Sequence, residues 1–128
     1  FEKLSQEKQG TVCVDSTMNG MRYLIVRGPC SVCAYIGVDK KHPLWGKGYT
    51  DTDIDVHGGL TFSADGGKSP WPKGLWWFGW DYAHLGDMTF FELEYKHGGR
   101  TGIKWTVEMV EEHMDDATKQ FAEFKEKK

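Results

Sequence analysis

The sequence lacks several features that would place it in a large functional class. It has no run of about 18 apolar residues, as a membrane-spanning helix requires, and no charged and then apolar leader opens it. We therefore expect a cytoplasmic protein without membrane contact. Lys and Arg number 16 against 19 Asp and Glu, for a net charge of -3. Without clustered cations, direct binding to a nucleic-acid backbone is not expected.

Cysteine is scarce, and well-known catalytic motifs are missing. The three cysteines, Cys13, Cys30 and Cys33, are too few and of the wrong parity for a disulfide scaffold, which indicates a reducing compartment. The Cys30-x-x-Cys33 pair has no second pair to complete a zinc knuckle. Neither an HExxH motif nor a Gly-rich phosphate loop with Lys occurs. Any enzymatic activity must therefore rest on a site without these motifs.

The chain does contain a regular series of strand and turn signals. Its 128 residues suit one domain, with a polar lead-in at 1–10 and a mostly β region at 11–82. Asn19-Gly20 predicts a hairpin turn, because both positions tolerate a positive φ. A loop is expected at 39–51. Further strands are predicted at 31–38, at 53–63 with an interruption at Gly58-Gly59, and at 75–82, the last of them aromatic and buried.

The C-terminal segment has a different period. Over residues 105–126, apolar side chains recur at steps of three and four, which predicts an amphipathic helix with Thr106 as its N-cap. The apolar positions are Met109, Val110, Met114, Ala117, Phe121 and Phe124. Strands followed by a terminal helix predict an α+β fold, an antiparallel sheet with the long helix packed on it.

Two clusters of metal-ligating residue types occur in the second half of the β region. If residues 53–63 form a strand, Asp53, Asp55 and His57 project from the same face. The two glycines that follow His57 permit a close approach of another backbone or a ligand. The first cluster therefore predicts a polar site beside a glycine turn.

The second cluster is Asp81-x-x-His84-x-x-Asp87, directly after the aromatic strand. With Cys33 from a neighbouring strand, a thiolate, two imidazoles and a carboxylate form a set that suits Zn²⁺ better than Mg²⁺ or Ca²⁺. The predicted metal ligands are Cys33, His57, Asp81 and His84. Asp55 and Asp87 are predicted to orient the imidazoles or to replace a ligand.

Simpler interpretations exist for these and for other conspicuous residues. The clusters can equally be an acidic surface or a hydrogen-bonded core network. His42 and His97 are predicted to be solvated surface residues, and His113 a packing residue at the boundary of the helix. The tryptophans are more typical of core and rim packing than of a platform for stacking bases.

The motifs "CAYIGV", "KHPLWG", "DIDVHGGLTFS" and "WWFGWDYAHLGD" together resemble a family of small, mostly uncharacterised proteins of bacteriophages and prophages of Gram-positive bacteria. The resemblance covers about residues 31–120. The sequence departs from the family pattern at Ala34, where Gly is usual, and at Trp80, where Phe is usual. The matching positions are Cys33, Tyr35, His42, Pro43, His57, Gly58, Gly59, Asp81, His84 and Asp87.

This resemblance implies a phage accessory protein that works in the cytoplasm of the host cell. Such proteins are often inhibitors of host defences, and at least one metal-containing anti-CRISPR protein, an inhibitor of a type II CRISPR effector nuclease, is similar in general character. The leading hypothesis is a zinc-binding protein that inhibits a host defence protein by binding it. The alternatives are a metal-dependent hydrolase of a phosphoester or nucleotide and, last, a structural phage component.

Overall fold

A computed structural model describes residues 1–84, 86–90 and 102–125 of the chain. Five strands form one antiparallel sheet in the order β1-β2-β3-β5-β4. The strands are β1 (Val12–Met18), β2 (Met21–Arg27), β3 (Val32–Val38), β4 (Phe62–Asp65) and β5 (Trp76–Asp81). The helices are α1 (Glu2–Ser5), a 3₁₀ turn (Tyr49–Asp51) and α2 (Val107–Glu123). None of the described helices has the length and apolar character needed to cross a membrane.

The predicted hairpin is present and is attached to the helix. Asn19 and Gly20 connect β1 to β2 with φ angles of 53° and 76°, as a turn that matches the twist of the two strands requires. The Asn19 side-chain amide donates hydrogen bonds to Thr118 Oγ1 at 3.0 Å and to the Asp115 carbonyl at 3.1 Å. Asn19 therefore both adopts the backbone conformation of the turn and joins the hairpin to α2.

The aromatic segment forms an interior strand, as predicted. β5 lies between β3 and β4, and Trp77, Phe78 and Trp80 are buried. Gly79 lies opposite Tyr35 in the β3–β5 register. A Cβ atom at position 79 would lie 2.4 Å from the Tyr35 ring, so the large aromatic ring requires glycine opposite it.

The α+β fold class is confirmed, because α2 packs against one face of the sheet. Alternate residues of the strands meet one stripe of the helix in the main core. This core contains Tyr23, Ile25, Ala34, Ile36, Val38, Phe78 and Trp80 from the sheet and Val110, Met114, Ala117 and Phe121 from α2. Each such fully buried large side chain contributes about 1.5–3 kcal/mol. The opposite face has a smaller cluster around Leu24, Val26 and Trp77.

The prediction of a strand at 53–63 is wrong for most of its length. Only Phe62–Asp65 pairs with β5, and residues 52–61 are irregular. Before the glycines, the Asp55 N–H and carbonyl bond to the Gln120 side chain instead of to a neighbouring strand. Gly58 and Gly59 then have φ angles of 69° and 82°, a left-handed conformation that turns the chain. The inference that Asp53, Asp55 and His57 share one face of a strand therefore fails.

Two further sequence predictions require adjustment. The helix predicted at 105–126 covers Val107–Glu123, because Thr106 caps it and Phe124 is already extended; residues 126–128 lie outside the described part of the chain. His42 is not a solvated surface residue. Its Nε2 lies 2.7 Å from the Phe121 carbonyl, and its Nδ1 accepts the Leu44 N–H. His97 lies outside the described residues.

The cap of α2 provides a direct test of the fold. Thr106 Oγ1 accepts a hydrogen bond from Met109 N at 3.2 Å. We expect Thr106→Ala to lower the free energy of unfolding by about 1 kcal/mol, measured by urea denaturation followed by circular dichroism. Thr106→Ser keeps the accepting oxygen and should remain close to the native value. Equal stability of the Ala and Ser variants would contradict a stabilising role for this cap.

Candidate functional site

The buried carboxylate of Asp87 is the centre of a hydrogen-bond network. Its side chain is only 2% exposed. It accepts hydrogen bonds from His57 Nε2 at 2.7 Å, from His84 N at 3.0 Å and from Trp105 Nε1 at 2.8 Å. Burial opposes ionisation, but these three donors outweigh it and hold the pKa of Asp87 below its ordinary value. Asp87 is therefore a fixed negative charge that orients the groups around it.

Backbone pairing places one of these donors, the Trp105 indole, at the carboxylate. Asp87 forms a parallel bridge with Ile103, in which Ile103 N donates to the Gly86 carbonyl and Met88 N donates to the Ile103 carbonyl, each at 2.9 Å. Trp105 follows two residues after this bridge, directly before the cap of α2. The short bridge therefore brings the indole N–H to the carboxylate.

The His57 ring is held on two sides by aromatic groups. It stacks on Tyr82 with ring centroids 4.4 Å apart and an interplanar angle of 12°. The Trp105 ring meets the imidazole edge to face, with ring centroids 5.0 Å apart. Because Nε2 donates to Asp87, Nδ1 is the second nitrogen of the His57 ring. This is the arrangement of an imidazole prepared to take a proton or to bind a metal ion.

A second imidazole, that of His113 on α2, lies close to His57. The Tyr82 hydroxyl is 2.8 Å from His113 Nδ1 and also accepts the Trp80 indole N–H at 3.1 Å. Burial, together with the neighbouring His57, lowers the pKa of His113, with Glu112 and Asp116 acting in the opposite direction. The imidazole is therefore neutral at neutral pH.

Both imidazoles line one cavity of about 400 Å³, a volume that accepts a small ligand. Its other lining residues are Asp55, Val56, Trp80, Glu112, Asp116 and Ala117. The three acidic side chains are exposed at its rim. Gln120 connects two parts of this rim, because its amide donates to the Asp55 carbonyl at 2.6 Å and to Asp116 Oδ2 at 2.8 Å. The site thus combines oriented imidazoles with a concentrated negative charge.

The four predicted zinc ligands lie near one another but do not surround one point. Asp81 Oδ1 is 3.2 Å from His84 Nε2, and Cys33 lies opposite Asp81 in the β3–β5 register. The His57 and His84 ring centroids are 5.9 Å apart. Across residues 1–84, 86–90 and 102–125, no three His, Cys, Asp or Glu side chains are arranged as a group that could hold a metal ion.

Sheet geometry separates Cys33 from His57, which stacks on Tyr82 of the main core. Cys33 alternates with Val32 and Ala34, which face the main core on the α2 side, so its thiol projects from the opposite face. Burial, with a contribution from Asp81, raises the pKa of the Cys33 thiol to about 11. Metal binding requires a thiolate. Cys33 as a zinc ligand stays a prediction, and neither its position relative to His57 nor its protonation supports it.

Two residues of the site were missed by the sequence interpretation. Trp105 was taken as part of the helix, and His113 was assigned to packing. His113 and Asp116 are three residues apart on α2, which is a spacing that places both on one side of a helix. That spacing was the available signal. Asp87 contacts the His57 imidazole, and its predicted role beside a metal ion stays a prediction.

Comparison with known proteins adds no relative: no protein family, curated protein or solved structure matches the chain. The resemblance to phage proteins, and the host partner that it implies, therefore stay predictions. What can be said of function rests on the geometry of the cavity and its network.

Substitutions at two neighbouring glycines test the packing of the turn beside His57. Gly58 and Gly59 both have positive φ, but a Cβ at 58 would lie 2.2 Å from His84 Cδ2, whereas a Cβ at 59 meets nothing within 4 Å. Both Ala variants should lose about 1–2 kcal/mol to the backbone conformation. Gly58→Ala should lose roughly 1–3 kcal/mol more, because the His84 ring must move. Urea unfolding measures both, and equal losses would contradict this packing.

Proposed function

We propose that the protein is a metal-dependent hydrolase of a phosphoester or nucleotide, with the His57 cavity as its reaction site. The observation that carries this proposal is the pairing of buried Asp87 with His57 Nε2 at 2.7 Å. An imidazole that binds a metal almost always donates its second N–H to a carboxylate, a carbonyl or water. Here that partner is buried and ionised, so the ring orientation is set before any ligand arrives.

Residue types that can ligate a zinc ion line the cavity, although within the described residues they do not converge on one point. Neutral imidazoles and carboxylates are ligands that Zn²⁺ accepts. The rim carboxylates Asp55, Glu112 and Asp116 attract a divalent cation, whereas without one they would repel a phosphate group. A cation in the cavity therefore reconciles an acidic rim with an anionic substrate. When bound, it would neutralise the phosphate charge and lower the pKa of a coordinated water.

The chain's own groups then have separate roles. Asp87 keeps the His57 proton on Nε2, and the Tyr82 ring holds the imidazole plane. Asp87 already accepts three hydrogen bonds, so the exposed Asp55 is the better general base. Asp55 takes a proton from the attacking water as the new P–O bond forms, and returns it to the leaving oxygen as the old P–O bond breaks.

A second candidate function is the inhibition of a host defence protein by binding, as the sequence resemblance implies. The observation that favours it is the exposed acidic rim of the cavity. A negative patch of this kind complements the basic nucleic-acid channel of a CRISPR effector nuclease. It does not account for the oriented imidazoles, so we place it second.

Hydrolysis is tested with metal-free protein to which Zn²⁺ or Mn²⁺ is restored, using bis(p-nitrophenyl) phosphate and a panel of nucleotides. We expect metal-dependent turnover that falls in Asp87→Asn by about 10–100-fold, the usual loss when the partner of a ligating imidazole is changed. His57→Ala should lose more. Asp53→Asn is the matched control for Asp55→Asn, because Asp53 is exposed on the same loop but does not line the cavity.

Absence of turnover with every metal, in protein shown separately to contain a bound ion, would contradict the hydrolase. Turnover that is unchanged in both His57→Ala and Asp87→Asn would place the activity elsewhere on the molecule. Equal losses in Asp53→Asn and Asp55→Asn would indicate a general effect of charge rather than a base.

A further inference from the structure

We propose that His113 is a substrate-binding residue of the cavity, whose Nε2–H donates a hydrogen bond to a phosphoryl oxygen. The inference rests on the proposed hydrolysis of a phosphoester or nucleotide and adds a residue to that site. The His113 ring already lines the cavity. The evidence for its donor role comes from the hydrogen bonds of the neighbouring Tyr82 hydroxyl.

The Tyr82 hydroxyl lies between two partners in the core. A phenolic hydroxyl donates one hydrogen bond and also accepts. Trp80 Nε1, which can only donate, lies 3.1 Å away, and His113 Nδ1 lies 2.8 Å away. Tyr82 is fully buried, and its hydroxyl has no third partner within the described residues. The hydroxyl proton therefore has one acceptor, which is His113 Nδ1.

This network assigns the tautomer of His113. If Nδ1 carried the proton and donated it to Tyr82, the buried hydroxyl proton would lose its acceptor, at the cost of its full desolvation. With the hydroxyl proton on the Nδ1 side, the proton of the neutral ring is on Nε2. A protonated ring also has a proton on Nε2. Nε2 is therefore a donor in both charge states, and in neither can it bind a metal ion.

This donor is open to the cavity. Nε2 of His113 has no acceptor within the described residues, and it is not one of the enclosed polar atoms without a partner. Asp116 follows His113 on the same side of α2. Its Oδ2, however, accepts from Gln120 Nε2 at 2.8 Å. An incoming oxygen atom therefore does not have to displace a carboxylate from the His113 N–H.

The His113 ring is held by the core. Its centroid lies 5.8 Å from that of Tyr82 and 5.1 Å from that of Trp105, and the hydrogen bond from Tyr82 fixes which edge faces inward. His57 differs, because its partner Asp87 is an acceptor. A donor held in place in this way stabilises negative charge on an oxygen without reorganisation of the protein.

A phosphoryl oxygen is the acceptor that suits this donor. A hydrogen bond to a charged oxygen is roughly twice as strong as one between neutral groups. The rim carboxylates repel an anion that arrives alone, so we expect binding in the presence of the cation of the proposed function. The cavity of about 400 Å³ is large enough for a small phosphoester.

The tautomer is tested on native protein by ¹H–¹⁵N correlation of the histidine rings, which distinguishes a protonated ring nitrogen from an unprotonated one. The signals of His113 are assigned by their loss in His113→Gln. We expect the neutral ring to carry its proton on Nε2, and a slowly exchanging Tyr82 hydroxyl proton that is lost in Tyr82→Phe. A neutral ring with its proton on Nδ1 would overturn the proposal, whether or not the protein is a hydrolase.

Substrate binding is tested by the pair His113→Gln and His113→Met, measured by calorimetric titration with AMP in the presence of Zn²⁺. Both side chains are long and suit a helix, but only Gln keeps an N–H donor. We expect His113→Gln to bind within about threefold of native protein and His113→Met at least about tenfold more weakly, as for loss of a hydrogen bond to a charged group. Glu112→Gln, a change at the neighbouring rim residue, should bind AMP at least as tightly as native protein.

Native affinity in His113→Met, or no binding of AMP to native protein, would overturn the proposal. The tautomer is measured on native protein, so the proposal stays open to refutation even if a variant fails to fold. AMP binding that depends on the His113 donor, without any turnover, would support the donor and refute only the hydrolase. Turnover with an unchanged KM in His113→Met would do the reverse.

Discussion

The buried negative charge of Asp87 is the constraint on which the site depends. Removing a carboxylate from water costs several kcal/mol unless it is paired and hydrogen-bonded. Its three donors come from three segments of the chain: the turn at His57, the backbone at His84 and Trp105 just before α2. Removing one of them would leave a buried charge incompletely satisfied. The carboxylate therefore ties the correct placement of all three segments to the stability of the fold.

The aromatic groups of the sheet extend this network to α2. Tyr82 directly follows β5, and it stacks on His57 while its hydroxyl contacts His113. Burial raises the pKa of Tyr82 to about 12, so the phenol stays protonated and neutral at ordinary pH. One rigid side chain thereby sets the positions of two imidazoles that are 56 residues apart in sequence. Both rings are positioned by groups of the core rather than by loop side chains.

Short-range sequence patterns were enough to predict most of the fold, whereas the site depends on tertiary contacts that such patterns do not show. The Asn19-Gly20 turn, the aromatic strand β5 and the Thr106 cap are each specified by a few neighbouring residues, and each was predicted. The alternation of acidic residues before His57 suggested a strand, but the Asp55 backbone bonds to the Gln120 side chain of α2 instead of to another strand. Sequence spacing correctly joined Asp81 to His84. It could not show that α2 brings a second imidazole to His57, because that contact depends on how the helix packs.

The acidic groups of the site divide into two physical classes, and this division bears on mechanism. Asp87 is buried, fully bonded and immobile, so it can orient a ring but cannot follow a substrate. Asp55, Glu112 and Asp116 are exposed, so they can change rotamer and respond to a bound charge. Rigid carboxylates suit preorganisation, while mobile ones suit capture of an ion and transfer of a proton. An inhibitor that acts only by surface complementarity would need the exposed class alone. The presence of both classes around the two imidazoles is what favours the proposed hydrolase over the proposed recognition by charge.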